Sequence, residues 1–341
     1  MNLLAAATGA IERLPLPDAA MRAGIALLVN RTGRKLDQAP PDSEPDFARA
    51  MAARPIACTP DAANAQHYEL PAEFFGAVLG ARRKYSCCLY ADPSDTLDQA
   101  EARAIEETAT HAGLEDGQRI LELGCGWGSL SLWMAERFPR AVITAISNSR
   151  TQRAFIAAEA AKRGLENLQI ITADMNHFET AERFDRVVSV EMWEHMSNWP
   201  ALLARVRGWI EPGGRLFLHV FSHRSTPYAF DAADRADWIA QHFFTGGIMP
   251  SHGLIRWLDE HFTLEADWRW SGLHYQRTAL DWLARFDATQ ATIAPIMAAI
   301  YGAAAPLWHR RWRLFFLATA GLFGARGGHD WGVSHFLLAP R

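Results

Sequence analysis

The stretch Arg119-Ile-Leu-Glu-Leu-Gly-Cys-Gly-Trp-Gly-Ser-Leu130 constrains this chain more than any other. An apolar, strand-favouring run leads into Glu122, Gly124, Gly126 and Gly128. Leu130, Leu132 and Met134 then take up helical spacing, so the stretch reads as strand, tight turn and helix. Glycine permits positive φ and lets a ligand approach the backbone, while the helix N-terminus offers unpaired N–H groups. A small polar ligand is the expected occupant. The spacing is E-x-G-x-G-x-G and not the G-x-G-x-x-G that seats a pyrophosphate, because Ser129 and Leu130 stand where the third dinucleotide glycine would fall.

Around this unit helix and strand alternate regularly. Leu97 to Ala112 has helical periodicity, and strands are expected at 119–123, 141–146, 168–172, 184–190 and 214–220. Repeated βα units predict an α/β fold with a doubly wound parallel sheet. Ligands of such sheets lie beyond the carboxyl ends of the strands, so residues 122–128, 147–152, 173–175, 191–195 and 219–223 are expected to ring one crevice. The second strand ends in Ser147-Asn-Ser-Arg-Thr-Gln152, so amides and hydroxyls must replace the acid that many such sites place there for ribose. Residues 330–338 form an apolar strand expected to close the sheet antiparallel.

The flanks read differently. Residues 1–70 alternate helical patches with loops, and the polar, proline-rich 38–45 suggests a linker that lets a helical appendage move relative to the core. Residues 71–341 are the expected catalytic domain. Within it, about 222–300 should form a cap inserted after the fifth strand, rich in aromatics such as Tyr228 and Phe244, with Thr-Gly-Gly-Ile-Met-Pro as a hinge. Trp308, Trp312, Phe315 and Phe316 fall at helical spacing as core or a homodimer face.

Net charge −4 without a block of like charge gives no nucleic-acid footprint. Cys58, Cys87, Cys88 and Cys125 lack zinc-type spacing and include an adjacent pair, so a reduced, cytoplasmic chain is expected. No uninterrupted apolar stretch reaches the ~20 residues that span a bilayer, and the first residues lack a basic n-region with a long apolar h-region. No stable membrane insertion is therefore expected.

Lys84-Tyr-Ser-Cys-Cys88, Leu121-Glu-Leu-Gly-Cys-Gly-Trp-Gly-Ser-Leu130, Asn148-Ser-Arg-Thr-Gln152, Val190-Glu-Met-Trp-Glu-His-Met196 and Phe243-Phe-Thr-Gly-Gly-Ile-Met-Pro-Ser251 occur in that order. Together they resemble the cyclopropane-fatty-acid synthase superfamily of S-adenosylmethionine (SAM)-dependent methyltransferases, and within it the coclaurine N-methyltransferase branch. The likeness covers roughly residue 65 onward. It implies a Rossmann-like class I methyltransferase sheet, SAM as methyl donor and S-adenosylhomocysteine (SAH) as product. It further implies that Asn148 and Gln152 hold the ribose. Tyr85, Ser86, Glu122, Gly124 and Gly126 are expected around the cofactor as well, and the end of the third strand makes Asp174, with Met175 beside it, the expected partner of the adenine amino group, a solvated loop acid being the blander assignment.

One position separates two branches. Cys87, Glu194, His219 and Tyr275 are similar to residues that hold a bicarbonate ion in cyclopropane synthases, but that branch ends the fourth strand in glycine where this chain has Glu191. A carboxylate there fills the space and repels an anion. The N-methyltransferase branch also carries glutamate, so the expected acceptor is a small-molecule amine on an aromatic or alkaloid-like body; a cyclopropane-fatty-acyl-phospholipid synthase or other acyl-chain methyltransferase is the alternative.

An alkyl amine is protonated at neutral pH, with a pKa of about 10 if it behaves like lysine, so a base must remove the proton. Glu191, Glu194 and His195 are the expected catalytic residues, converging if they share one side of a helical turn. The blander assignment makes Glu194 and His195 a helix cap, with Glu191 pairing an arginine. His219, Tyr228, Phe244 and Tyr275 are the expected substrate contacts, His219 being either a pocket wall or a satisfied core histidine. A metal site is not expected: His219 and His223, four apart on a strand, stand ~13 Å from each other.

Overall fold

Because both of its faces are covered, β1 (Arg119–Leu123) is a nearly continuous buried run and not an alternation. The structure, a computed structural model, describes residues 16–58, 70–234 and 237–341. Helices α1 (Asp18–Asp37), α2 (Ser43–Met51), α3 (Ala72–Val78) and α4 (Leu97–Ala112) precede β1. Thr96 and Gln99 close a reciprocal capping box at the start of α4, and Gly113 ends it with φ +60°.

After β1 come α5 (Ser129–Arg137), β2 (Val142–Ser147), α6 (Arg150–Arg163), β3 (Leu168–Thr172), β4 (Phe184–Val190), α7 (Trp199–Trp209) and β5 (Ile210–His223). A two-stranded ribbon, β6 (Tyr228–Ala229) and β7 (Ile248–Met249), brackets the short α8 (Trp238–His242). Next are β8 (Phe262–Ser271), α9 (Gly272–Ala288), α10 (Gln290–Tyr301), α11 (Ala305–Phe323) and β9 (Trp331–Pro340). Seven strands form one sheet in the order β3-β2-β1-β4-β5-β9-β8. The first five are parallel, and β9 runs antiparallel to both β5 and β8. This is the expected doubly wound sheet, and it brings the ends of β1 and β4 side by side.

Three expectations are corrected. The cap is not one insertion over 222–300: β8 returns to the sheet in its middle, and α9 to α11 form a second excursion before β9. The signal was present, since Phe262, Leu264, Ala266, Trp268 and Trp270 alternate with polar residues at the period of a strand. Nor is α1 a loosely tethered appendage. Met21, Ile25 and Leu36 share a buried cluster with Trp312 and Phe316 of α11, and a Cβ on Gly321 would lie 2.5 Å from Ile25. Asp18 pairs with Arg313 at 3.0 Å and Asp37 with Arg326 at 2.8 Å. The expected linker is partly helix, since α2 begins at Ser43 and its Glu44 accepts from Ser251 Oγ at 2.5 Å. The remainder of residues 1–70, namely 1–15 and 59–69, lies outside the described residues.

The third correction concerns apolar length. Gln290–Phe323, spanning α10, a short turn and α11, contains an 18-residue window of mean hydropathy 1.4 and so is apolar and long enough to cross a bilayer by length and composition. Pro295 and Gly302 interrupt the run. Gly302 also breaks the helix axis, and Trp312, Phe316 and Leu317 of the second half are buried in the core.

Candidate active site

β1 delivers the chain into a turn where Gly124, Gly126 and Gly128 all take positive φ, at 79°, 52° and 80°. The three are not equivalent. A Cβ on Gly124 would lie 2.5 Å from Met192 Cβ, and one on Gly128 2.8 Å from Ile156 Cγ1, whereas one on Gly126 meets nothing within 4 Å. Gly124 and Gly128 permit close packing; Gly126 faces open space. That space is a cleft lined by, among others, Tyr85, Ser86, Glu122, Gly126 and Glu191. Glu122 is buried beneath the turn, where burial pushes its carboxyl up to about 7 against a hydrogen bond from Ser131.

Glu191 follows β4 with φ +49°, a left-handed backbone that few non-glycine residues adopt. Its N–H donates to the His219 carbonyl at 2.8 Å, tying the strained residue to β5. Oε1 accepts from the Cys87 N–H at 2.9 Å and lies 3.2 Å from His219 Nε2; Oε2 accepts from the Tyr275 hydroxyl at 2.6 Å. Burial raises the Glu191 carboxyl, and the nearby Lys84 ammonium and the two donors oppose that rise. Lys84 is itself buried, with Nζ donating to Ser86 Oγ and the Cys87 carbonyl, both at 2.6 Å.

Glu194 is fully buried. Its Oε1 accepts from the Phe221 N–H at 2.6 Å, and Oε2 has no partner. Burial first, then the neighbouring Glu191 charge, hold it well above the carboxylate range. Glu191 has the Cys87 N–H, the Tyr275 hydroxyl and the Lys84 ammonium to favour its charged form, and Glu194 is raised further by the charge beside it.

The expected convergence of Glu191, Glu194 and His195 is corrected. Residues 191–195 are not an α-helical turn: Glu191 is left-handed and one 3-10 turn covers Trp193–His195. Glu191 and Glu194 stay close enough for the charge of one to raise the other, but His195 does not join them. The His195 ring instead stacks on Phe244 with centroids 4.4 Å apart. Phe244 in turn meets Phe221 and Phe230, and Phe230 meets Tyr228, forming an aromatic chain through the cap. Tyr228 accepts from Trp331 Nε1 at 3.3 Å. Of the four expected substrate contacts, Tyr275 and His219 thus belong to the immediate surroundings of Glu191, and Tyr228 and Phe244 to the cap.

Asn148, Gln152, Asp174 and Met175 lie outside the lining of the cleft. Gln152 Oε1 accepts from Ser147 Oγ at 2.7 Å, while its buried Nε2 has no partner. Asp174 accepts from the Asn176 N–H at 2.8 Å, and the Met175 side chain packs in the core with Phe178 and Met192. Sequence reasoning names Lys84 only as part of a motif and misses His335, which bonds His219; neither has a local signature that marks it for a site.

Residues 58–326 match the model of the mycolic acid cyclopropane synthetase family. The chain belongs to that family. It is 34% identical over 281 residues to an (S)-coclaurine N-methyltransferase of Thalictrum flavum subsp. glaucum, covering 81% of this chain and 78% of that protein. Pavine N-methyltransferase of the same organism is 32% identical over 299 residues, covering 86% and 84%. A crystal structure of coclaurine N-methyltransferase bound to N-methylheliamine and SAH matches with TM-score 0.90 at 31% identity, covering 96% of this chain and 97% of that one.

Within the mycolic acid cyclopropane synthetase family the chain stands in the coclaurine N-methyltransferase-like branch and is a SAM-dependent methyltransferase. The residues present fit the cofactor. Gly126 leaves open the space that a side chain would fill. Glu122 and Ser86 bring polar side chains to the cleft, and Tyr85 brings an aromatic one.

Proposed function

We propose that this enzyme methylates the nitrogen of an amine carried on an aromatic or alkaloid-like body, such as a tetrahydroisoquinoline or an arylalkylamine, with Glu191 as the base. The carrying observation is a carboxylate with only 7% of its side chain exposed, in the same cleft as the glycine turn, at a position where the resemblance gives the cyclopropane branch a glycine. The names of the relatives, coclaurine and pavine N-methyltransferase, support the same class of acceptor.

SAM, when bound, supplies a methyl group already activated by its sulfonium. The protein's share is to orient the amine and remove its proton. Glu191 attracts the ammonium form and accepts the proton, while the Cys87 N–H and the Tyr275 hydroxyl fix its two oxygens. Burial and the Glu191 charge both favour the uncharged form of Glu194 beside it. The chain of rings from Tyr228 through Phe244 to His195 offers an apolar, aromatic wall for the body of the acceptor. His195, at the end of that wall, contacts the substrate and is not the first proton acceptor. Four free cysteines, three of them buried, support a reducing, cytoplasmic setting.

The test is SAH formation with a panel of secondary and tertiary cyclic amines and arylalkylamines, alongside vesicles of unsaturated phospholipid. Turnover with amines is expected. Turnover confined to the phospholipid sinks the proposal and favours the acyl-chain alternative.

A further inference from the structure

Three histidines form a continuous hydrogen-bonded line from Glu191 to the outside of the sheet. Glu191 Oε1 lies 3.2 Å from His219 Nε2, and His219 Nδ1 lies 2.8 Å from His335 Nε2. His335 Nδ1 lies 2.8 Å from His111 Nδ1, and His111 Nε2 lies 3.2 Å from Glu107 Oε1. His219 and His335 are fully buried; the side chain of His111 is 11% exposed and that of Glu107 40%. Sheet register creates the line, since His219 on β5 faces His335 on β9 as a cross-strand pair, and α4 brings His111 to the far side. Trp268 stacks on His111 at 3.8 Å and Trp270 lies 4.4 Å from His335, so the line runs between indoles.

From this geometry we infer that His219, His335 and His111 form a proton exit that carries the proton taken by Glu191 to solvent at Glu107. The inference rests on the amine reading above. In that reaction the nitrogen lone pair forms the N–C bond, the C–S bond breaks with its electron pair left on sulfur, and an ammonium acceptor releases one proton per turnover. The proton arrives on Glu191, and the cleft through which it would otherwise leave is filled by cofactor and acceptor. Each imidazole can accept on one nitrogen while releasing from the other, so one proton entering at His219 Nε2 is matched by one leaving His111 Nε2.

The surroundings suit transient carriers. Burial, the largest cause, keeps His219 and His335 well below the ordinary histidine value and also lowers His111. Lys84 and the neighbouring histidines push His219 and His335 the same way, and Glu107 pulls His111 upward. At the inner end Glu191 is flanked by Lys84, Glu194, Tyr275 and Cys87. Burial thus raises the acid and lowers the carriers, bringing donor and acceptor closer in proton affinity. A purely structural line would instead hold each ring in one fixed tautomer.

Two measurements decide. The first uses His335→Gln, which keeps a hydrogen-bonding amide but cannot pass a proton, and His111→Ala near the surface, where the fold is least at risk. Both should lose about tenfold in kcat with KM for SAM and amine within twofold, and show a larger solvent deuterium isotope effect. Imidazole in the buffer should restore most of the His111→Ala loss. Values of kcat within twofold of the parent, or a loss indifferent to imidazole and to deuterated solvent, overturn the relay while leaving the amine reading intact. The second is nitrogen NMR of the histidines in the full-length protein without ligand. The expected result is neutral rings whose two nitrogens average between protonated and bare; one fixed tautomer per ring overturns the relay without reference to activity. If the parent protein turns over no amine, the amine reading fails, and the proton assigned to this path goes with it.

Discussion

The hydroxyl of Tyr275 on α9 donates to Glu191 Oε2 across 2.6 Å, joining a helix between β8 and β9 to the end of β4. The Tyr275 ring stacks on Phe323 of α11 at 4.2 Å, and α11 is the helix on which α1 docks. Orientation of the carboxylate therefore depends on helices remote in sequence from the glycine turn. Tyr275→Phe keeps the ring and removes the donor. Because that donor lowers the Glu191 carboxyl, the acid limb of the pH–rate profile should move to higher pH, with kcat down about three- to tenfold near neutrality. An unmoved acid limb would separate Tyr275 from the base.

Glu191→Gln preserves size and polarity but cannot take a proton. Turnover with an amine should fall at least about a hundredfold, the scale of a lost general base. Calorimetric affinity for SAH should change by no more than a few fold. Equal loss of binding and turnover would mean that the residue shapes the cofactor site and not the chemistry.

The glycines of the turn should separate into two classes. Gly126→Ala places its Cβ in open space, so its main cost is a weakened cofactor complex plus backbone strain of about 1 kcal/mol. Gly124→Ala drives its Cβ into Met192 and should lower the Tm in the absence of ligand much further. SAH titration and thermal unfolding of the two variants read the difference, and identical behaviour would refute the assignment.

Glu122, raised to about 7 in the fold from an ordinary value of 4.5, contributes stability present below pH 4.5 and lost as pH climbs through 7. The deficit at pH 8 is on the order of 3 kcal/mol from the size of that shift. Glu122→Gln removes it. The Tm of the variant relative to the parent, without ligand, should therefore rise between pH 5 and pH 8. A difference independent of pH would show that Glu122 is not so shifted.

Much of the sheet is legible in the sequence because parallel strands covered on both faces leave dense apolar runs: β1, β3 and β4 appear at the bounds expected for them. The glycine turn is legible because backbone geometry demands a residue type. What escapes is long-range. No local pattern says that α1 lies on α11, or that His335 would face His219, because antiparallel register between β5 and β9 decides that. Residues 191–195 mislead for the opposite reason, since spacing by threes and fours suggests a helix that one left-handed residue prevents.

That left-handed residue carries a consequence of its own. A glycine at 191 would relax the backbone and remove the charge that raises Glu194. The chain is thus held short of its most durable form by its own reagent, and Glu191→Gly should yield a sturdier but idle enzyme.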